Sequence, residues 1–229
     1  MKITAIILSH YKEREENLKK IINDLLNGTV KPDEVIIFID NPEIVFNDER
    51  TTIIRSSKNF LPIVRFALGT VCETDYCLFI DDDLSVNRDT LKNFVDYAER
   101  LPNAILGLEG SILGNTDTPY TNDRCLRRGY YSESVPVDII IRTYFVPIKL
   151  LGYGLQLRNM YPNLPKKSLD DVFLCLGNKY LGHGENFVIP VNEETDLVEL
   201  PDGNVGQCRE GEHYKNRNEV CRFLMDKYE

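Results

Sequence analysis

Five residues, Tyr76-Cys77-Leu78-Phe79-Ile80, form an apolar run that ends abruptly in Asp81-Asp82-Asp83. A run of that length and content reads as a buried strand. Three adjacent carboxylates at its tip repel one another, and burying any of them unpaired is costly, so the pattern calls for a cation or a donor-rich ligand beside them. Hard divalent ions such as Mg²⁺ and Mn²⁺ take one or two protein carboxylates and fill their other positions with water and substrate phosphates. An open α/β sheet binds its ligands at the carboxyl ends of its strands, where this cluster would lie. A solvated acidic turn capping the next helix is the plainer alternative, and Asp83-Leu84-Ser85 suits it. The position directly after a buried strand favours the metal.

The chain before this point alternates strand and helix. Ile3 to Leu8 reads as a strand, and Glu15 to Leu26 carries Leu18, Ile21, Ile22, Leu25 and Leu26 at helical spacing. Val35 to Ile39 and Thr51 to Ile54 are further strands, and Phe60 to Val71 a helix after Pro62. Four strand tips then share one crevice: Ser9-His10-Tyr11, Asp40-Asn41, Arg55-Ser56-Ser57-Lys58-Asn59 and the triple aspartate.

Beyond it, Thr90 to Leu101 is an amphipathic helix and Ala104 to Leu108 a fifth strand entering Glu109-Gly110-Ser111. Gly114 to Ser134 is polar and reads as an excursion over the active face or a lid. Val137 to Ile141 and Thr143 to Val146 are apolar again, and Tyr153 to Lys167, with Arg158 and two prolines, reads as a loop. Asp170-Asp171 is placed as the N-cap of a helix from Val172 to Tyr180, a position that needs no chemistry to explain it. Phe187 to Val191 is a late strand, Glu193 to Asp202 an acidic surface turn, and Glu210 to Tyr228 a helix with Val220, Phe223 and Leu224 on its apolar side. His213 and Arg217, four apart, share a face of it and can reach one phosphate or metal.

The fold expected is α/β: a single domain over 1–229 with a central, mostly parallel but mixed sheet flanked by helices. Its Rossmann-like half, 1–109, would bind a nucleotide, and 110–229 would form an acceptor-side half. The 229 residues, 42% of them apolar, suffice for a proper core. A formal charge of −9 and basic runs no longer than Arg127-Arg128 or Lys166-Lys167 argue against a nucleic-acid partner. The six cysteines include no Cys-x-x-Cys pair, which disfavours zinc or a disulfide framework. The first apolar run is too short for a signal or spanning segment, so the expectation is a soluble, cytoplasmic protein with no transmembrane segment.

Neither a Gly-x-x-x-x-Gly-Lys-Ser/Thr nor a Gly-x-Gly-x-x-Gly after the first strand is present, which excludes a P-loop enzyme and a dinucleotide dehydrogenase. A diphosphate gripped by a metal instead of by backbone amides fits an enzyme of nucleotide-diphosphate sugars.

Ile80-Asp81-Asp82-Asp83-Leu84 resembles the Asp-x-Asp signature of glycosyltransferases with the A-type (GT-A) fold. Asp81-Asp82-Asp83, Asp170-Asp171 and Glu212-His213-Tyr214-Lys215-Asn216-Arg217 are similar in order to the motifs of exostosin-like N-acetylhexosaminyltransferases. Inverting family 2-type transferases, with a Glu-Asp pair, resemble the chain nearly as well. The resemblance implies a metal-dependent transferase that moves a hexosyl or N-acetylhexosaminyl group from a nucleotide-diphosphate sugar, a UDP-sugar, to a carbohydrate or other hydroxyl acceptor.

It further implies that Asp83, with Asp81, ligates Mn²⁺ or Mg²⁺, and that Asp81 and Asp82 hold the ribose or metal-bound water. Asp40 or Asn41 would pair with the base, with Ser9, Tyr11 and Arg14 around it. Asn59 and Arg65 would line the nucleotide pocket, His213 and Arg217 would meet the diphosphate, and Asp171 with Asp170 would face sugar and acceptor as the catalytic pair. Leu169 stands where the exostosin-like group has a cysteine, so that group's disulfide is absent. Two alternatives remain at this stage: a sugar-nucleotide nucleotidyltransferase, against which Ser9-His10-Tyr11-Lys12-Glu13 speaks because it is not a Gly-rich loop, and a binding module that has lost turnover.

Overall fold

The computed structural model describes residues 1–121, 125–128, 132–191, 198–209 and 211–229. In chain order its elements are β1 (Ile3–Ser9), α1 (Glu15–Leu26), β2 (Glu34–Ile39), β3 (Thr52–Arg55), α2 (Val64–Gly69), β4 (Tyr76–Asp81), β5 (Leu84–Ser85) and α3 (Thr90–Arg100). They continue with β6 (Ala104–Ile112), β7 (Cys125–Arg128), β8 (Val135–Val137), β9 (Ile139–Pro147), α4 (Ile148–Met160), α5 (Asp170–Tyr180), β10 (Glu185–Val188), β11 (Val198–Glu199) and α6 (His213–Tyr228).

The apolar runs of β1, β2 and β4 are buried on both faces, as central parallel strands require, while β3 at the edge is only half-buried. The sheet order is β3-β2-β1-β4-β9-β6-β10-β8, with β7 added alongside β6. β1, β2, β3 and β4 are mutually parallel, β9 runs against both β4 and β6, and β10 is again parallel to β6. The result is the mixed, mostly parallel sheet the sequence implies.

Helices cover both faces. α1 places Leu18, Ile21, Ile22 and Leu25 in one core cluster, and α3 adds Leu91, Phe94, Tyr97 and Ala98 to it. The opposite cluster is closed by Phe66 of α2, by Leu150, Leu151 and Leu157 of α4, by α5, and by Val220, Cys221 and Leu224 of α6. Each such fully buried Leu, Ile or Phe contributes roughly 1.5–3 kcal/mol relative to exposure. Among the described residues, no helix is long and apolar enough to cross a membrane.

Several expectations need correction. Tyr153 to Lys167 is no loop: α4 runs through it to Met160, and the prolines lie beyond its end. Gly152 and Gly154 within α4 explain the missed signal, because they lower local helix propensity, and Gly154 serves a close contact with Gly177 of α5. A Cβ on Gly177 would lie 2.7 Å from the Cα and the nitrogen of Gly154. α2 is shorter than expected, beginning at Val64 after Leu61 turns the chain with φ 65°. Asp170 and Asp171 lie in the first turn of α5, whose cap is Leu169, so they are not caps themselves. Phe223 is exposed and packs edge-on against Tyr161 instead of facing the core.

The segments 114–134 and 193–202 lie only partly within the described residues: 122–124, 129–131 and 192–197 lie outside them, as do Glu210 and the side chains of Arg127 and Arg128. Of the first, Tyr120 is buried and β7 pairs with β6. Of the second, β11 pairs with β5, directly after the triple aspartate.

Candidate active site

The carboxyl ends of β1, β2 and β4 and the first turn of α5 open on a cleft of about 370 Å³. Tyr11, Arg14, Asp40, Asn59, Arg65, all three of Asp81, Asp82 and Asp83, Asp170, Asp171, His213 and Arg217 line it. Residues 105 apart in sequence are joined there by one side chain: Arg65 donates from Nη1 to Asp81 at 2.5 Å and from Nη2 and Nε to Asp170 at 2.5 and 3.1 Å. The two acidic motifs thus share a guanidinium.

The other carboxylates are also paired. Arg14, stacked on Tyr11, donates to Asp82 at 2.8 Å and lies 3.2 Å from Asp83. Arg217 donates to Asp171 and, at 2.7 Å, to the carbonyl of Ser168, with its guanidinium 4.1 Å above the Tyr120 ring. Arg142 lies 3.5 Å from Asp83 and 3.6 Å from Glu109. With every group ionised, these six carboxylates outnumber the four guanidiniums by two charges. Burial pushes Asp82 up to about 6 against the opposing pull of Arg14. Burial likewise raises Asp171, with Arg217 opposing and Asp170 adding to the rise.

The fit of a divalent cation can be judged from the donors. Among the described residues, no three His, Cys, Asp or Glu side chains converge as a complete metal cage. Asp82 Oδ2 and Asp83 Oδ1 are nonetheless buried without a hydrogen bond, the latter with only the 3.5 Å approach of Arg142. Hard oxygen donors, few in number, with surplus negative charge beside a cleft, suit an ion that draws its remaining ligands from water and phosphate.

Ser9 and Asn41 do not line the cleft. The strand pleat turns Leu8 toward it and buries Ser9 on the other face. Asn41 is a turn residue, donating to the His10 carbonyl and accepting from the Glu43 amide. Asp40 reaches the cleft, but its oxygens accept from His10 Nδ1 at 2.8 Å and from the Phe60 amide at 3.3 Å. Asn59 sits 3.3 Å from His10 Nε2, so the imidazole, and not Asp40 alone, is what a ligand in this corner would meet.

Sequence reasoning placed His10 at a strand tip without giving it a role, and passed over Arg142. The signal for Arg142 was a single cation splitting the apolar run Ile139-Ile140-Ile141 from Thr143-Tyr144-Phe145. That break is a β-bulge: the β6–β9 register slips between Gly107 and Glu109, and Arg142 takes φ 67°. For a residue with a side chain this costs about 1–2 kcal/mol, and such bulges re-aim side chains beside active sites. The Arg142 amide donates to Tyr144 Oη at 3.1 Å, which holds the bulge.

Residues 5–146 match the family described as Glycosyl transferase family 2. The chain belongs to that family. Of the two groups its motif order resembles, this is the family 2 one, and with it come the GT-A fold and glycosyl transfer as the reaction class. Two crystal structures of S. aureus TarS are similar. The one of residues 1–349 has TM-score 0.55 and 16% identity over 87% of this chain and 60% of that one. The other has TM-score 0.57 and 15% identity over 99% of this chain and 39% of that one. The present family 2 chain therefore spans less than two thirds of either, and at these identities the likeness speaks for the fold alone. Among curated proteins, none matches the sequence.

Proposed function

We propose that this family 2 glycosyltransferase moves a hexosyl or N-acetylhexosaminyl group from a UDP-sugar to a hydroxyl of a glycan acceptor, with Mn²⁺ or Mg²⁺ as cofactor. The observation that carries the reading is the single guanidinium of Arg65 tying Asp81 to Asp170, which sets a donor-side and an acceptor-side acidic motif across one cleft. Residues to 109 form the donor half and those after it the acceptor half. Uridine follows from the resemblance of the motifs.

Asp83 and Asp81 would hold the cation. Once bound, it supplies Lewis-acid neutralisation of the charge that builds on a departing diphosphate. Asp82, clamped by Arg14, keeps the ribose side of the cleft in shape. Asp171 is the general base: its Oδ1 accepts from the Val172 amide and its Oδ2 from Arg217, so the carboxylate is fixed as it takes the proton of the attacking hydroxyl. The raised affinity of Asp171 for a proton makes it a stronger base than an exposed carboxylate. Family membership favours the inverting course. The five free cysteines among the described residues, three of them buried, support a reducing compartment, the cytoplasm.

The test is Asp171→Asn. Turnover should fall by roughly 10²–10⁴, the usual contribution of general-base catalysis, while UDP binding measured by calorimetry stays within twofold. Unchanged turnover removes Asp171 from the chemistry.

A further inference from the structure

Three of the four cleft arginines are committed inside the protein. Arg14, Arg65 and Arg217 are buried, and each bonds a buried or half-buried carboxylate. Arg142 differs in both respects. Its side chain is 26% exposed, and its two-pronged partner is Glu199, at 2.8 and 2.7 Å, whose side chain is 61% exposed. With Glu199 standing in solvent, the carboxylate side of that pair is open to a competing anion. The same planar fork fits phosphate oxygens, and a diphosphate brings more charge than a carboxylate.

We infer that Arg142 is the residue that takes the diphosphate of the donor, and that Glu199 occupies its fork as a competing carboxylate until the donor arrives. The inference rests on the nucleotide-sugar reading above. It departs from the motif resemblance, which gives that task to His213 and Arg217; the Arg217 side chain is here spent on Asp171, the Ser168 carbonyl and the Tyr120 ring. Placement supports it from two directions. The bulge in β9 turns this one side chain out of an apolar strand toward Asp83, 3.5 Å away, where the cation is proposed. Glu199 belongs to β11, which pairs with β5 directly after that aspartate, so the competitor is anchored beside the fork it fills.

The experiment is calorimetry with UDP and with inorganic pyrophosphate, both with Mn²⁺, alongside ligand-observed NMR with uridine. Arg142→Gly suits the backbone at φ 67° while removing the guanidinium, and Arg142→Lys keeps the charge without the fork. Arg142→Gly should weaken UDP and pyrophosphate by at least about tenfold, the scale of a lost charge-assisted hydrogen bond, and leave uridine within twofold. Arg142→Lys should fall between the two, and it carries the test should the glycine variant fail to fold. Glu199→Gln should tighten UDP and pyrophosphate by a few-fold and not uridine. Equal losses for UDP and uridine, or none, overturn the inference. Wild-type protein that binds pyrophosphate but not UDP sinks the nucleotide reading and leaves Arg142 to be judged on pyrophosphate. Wild-type protein that binds neither sinks both.

Discussion

Asp171 owes its proposed role to its surroundings. Burial favours its protonated form and Arg217 opposes that preference, so the residue loses its proton above the ordinary carboxylate range. As pH falls, the base is protonated earlier than a solvated aspartate would be. The acid limb of kcat/KM should therefore sit above the ordinary carboxylate range. Arg217→Gln should move that limb further up, because the cation that opposed protonation is gone, and Arg217→Lys should restore part of it. A limb at the ordinary carboxylate position, unmoved by either change, would separate Arg217 from Asp171. Part of this residue-level picture was legible: the triple aspartate and Asp170-Asp171 stand out at a strand end and a helix start, His213 shares a helix face with Arg217, and Arg14 and Arg65 came only with the motif resemblance. Ser9, Asn41 and Arg142 were not legible, because pleat direction and bulge register are fixed by which strands pair across the sheet, and one chain read locally carries no sign of that.

At the scale of elements, the proposed acceptor side depends on how α5 is seated. Gly154 and Gly177 let α4 and α5 meet backbone to backbone, and α5 carries Asp170 and Asp171 in its first turn. Gly177→Val would push its side chain into the Gly154 backbone, which cannot yield as a flexible side chain would. The expected cost is about 1–3 kcal/mol, typical of overpacking, and hence a drop in Tm of several degrees by calorimetry. Transfer should suffer more than UDP binding, since the donor motifs hang on β1, β2 and β4. An unchanged Tm would mean that the helices are not so closely apposed. β1, β2, β4, α1 and α3 were legible because each is a short apolar run or a clean amphipathic helix. α4 was missed since its glycines and the scatter of polar residues among apolar ones blur the helical period, and its reason for being a helix lies in α5.

For the whole molecule, the sheet order decides which strand tips meet at the cleft. β4 lies between β1 and β9, and the reversed β9 brings the later part of the chain back against the tip of β4, so that Asp83, Arg142 and Glu109 meet. Fold class and the mixed character of the sheet could be read from the alternation of runs, but the position of β9 between β4 and β6 could not. The claim that ties the molecule together is a cation at the Asp81–Asp83 end of β4 gripping a diphosphate. Titration of UDP into the wild-type chain and into Asp83→Ala, with Mn²⁺ and again with a chelator, tests it most directly. Binding should require both the metal and Asp83; equal affinity in the chelator, or in the variant, would contradict it.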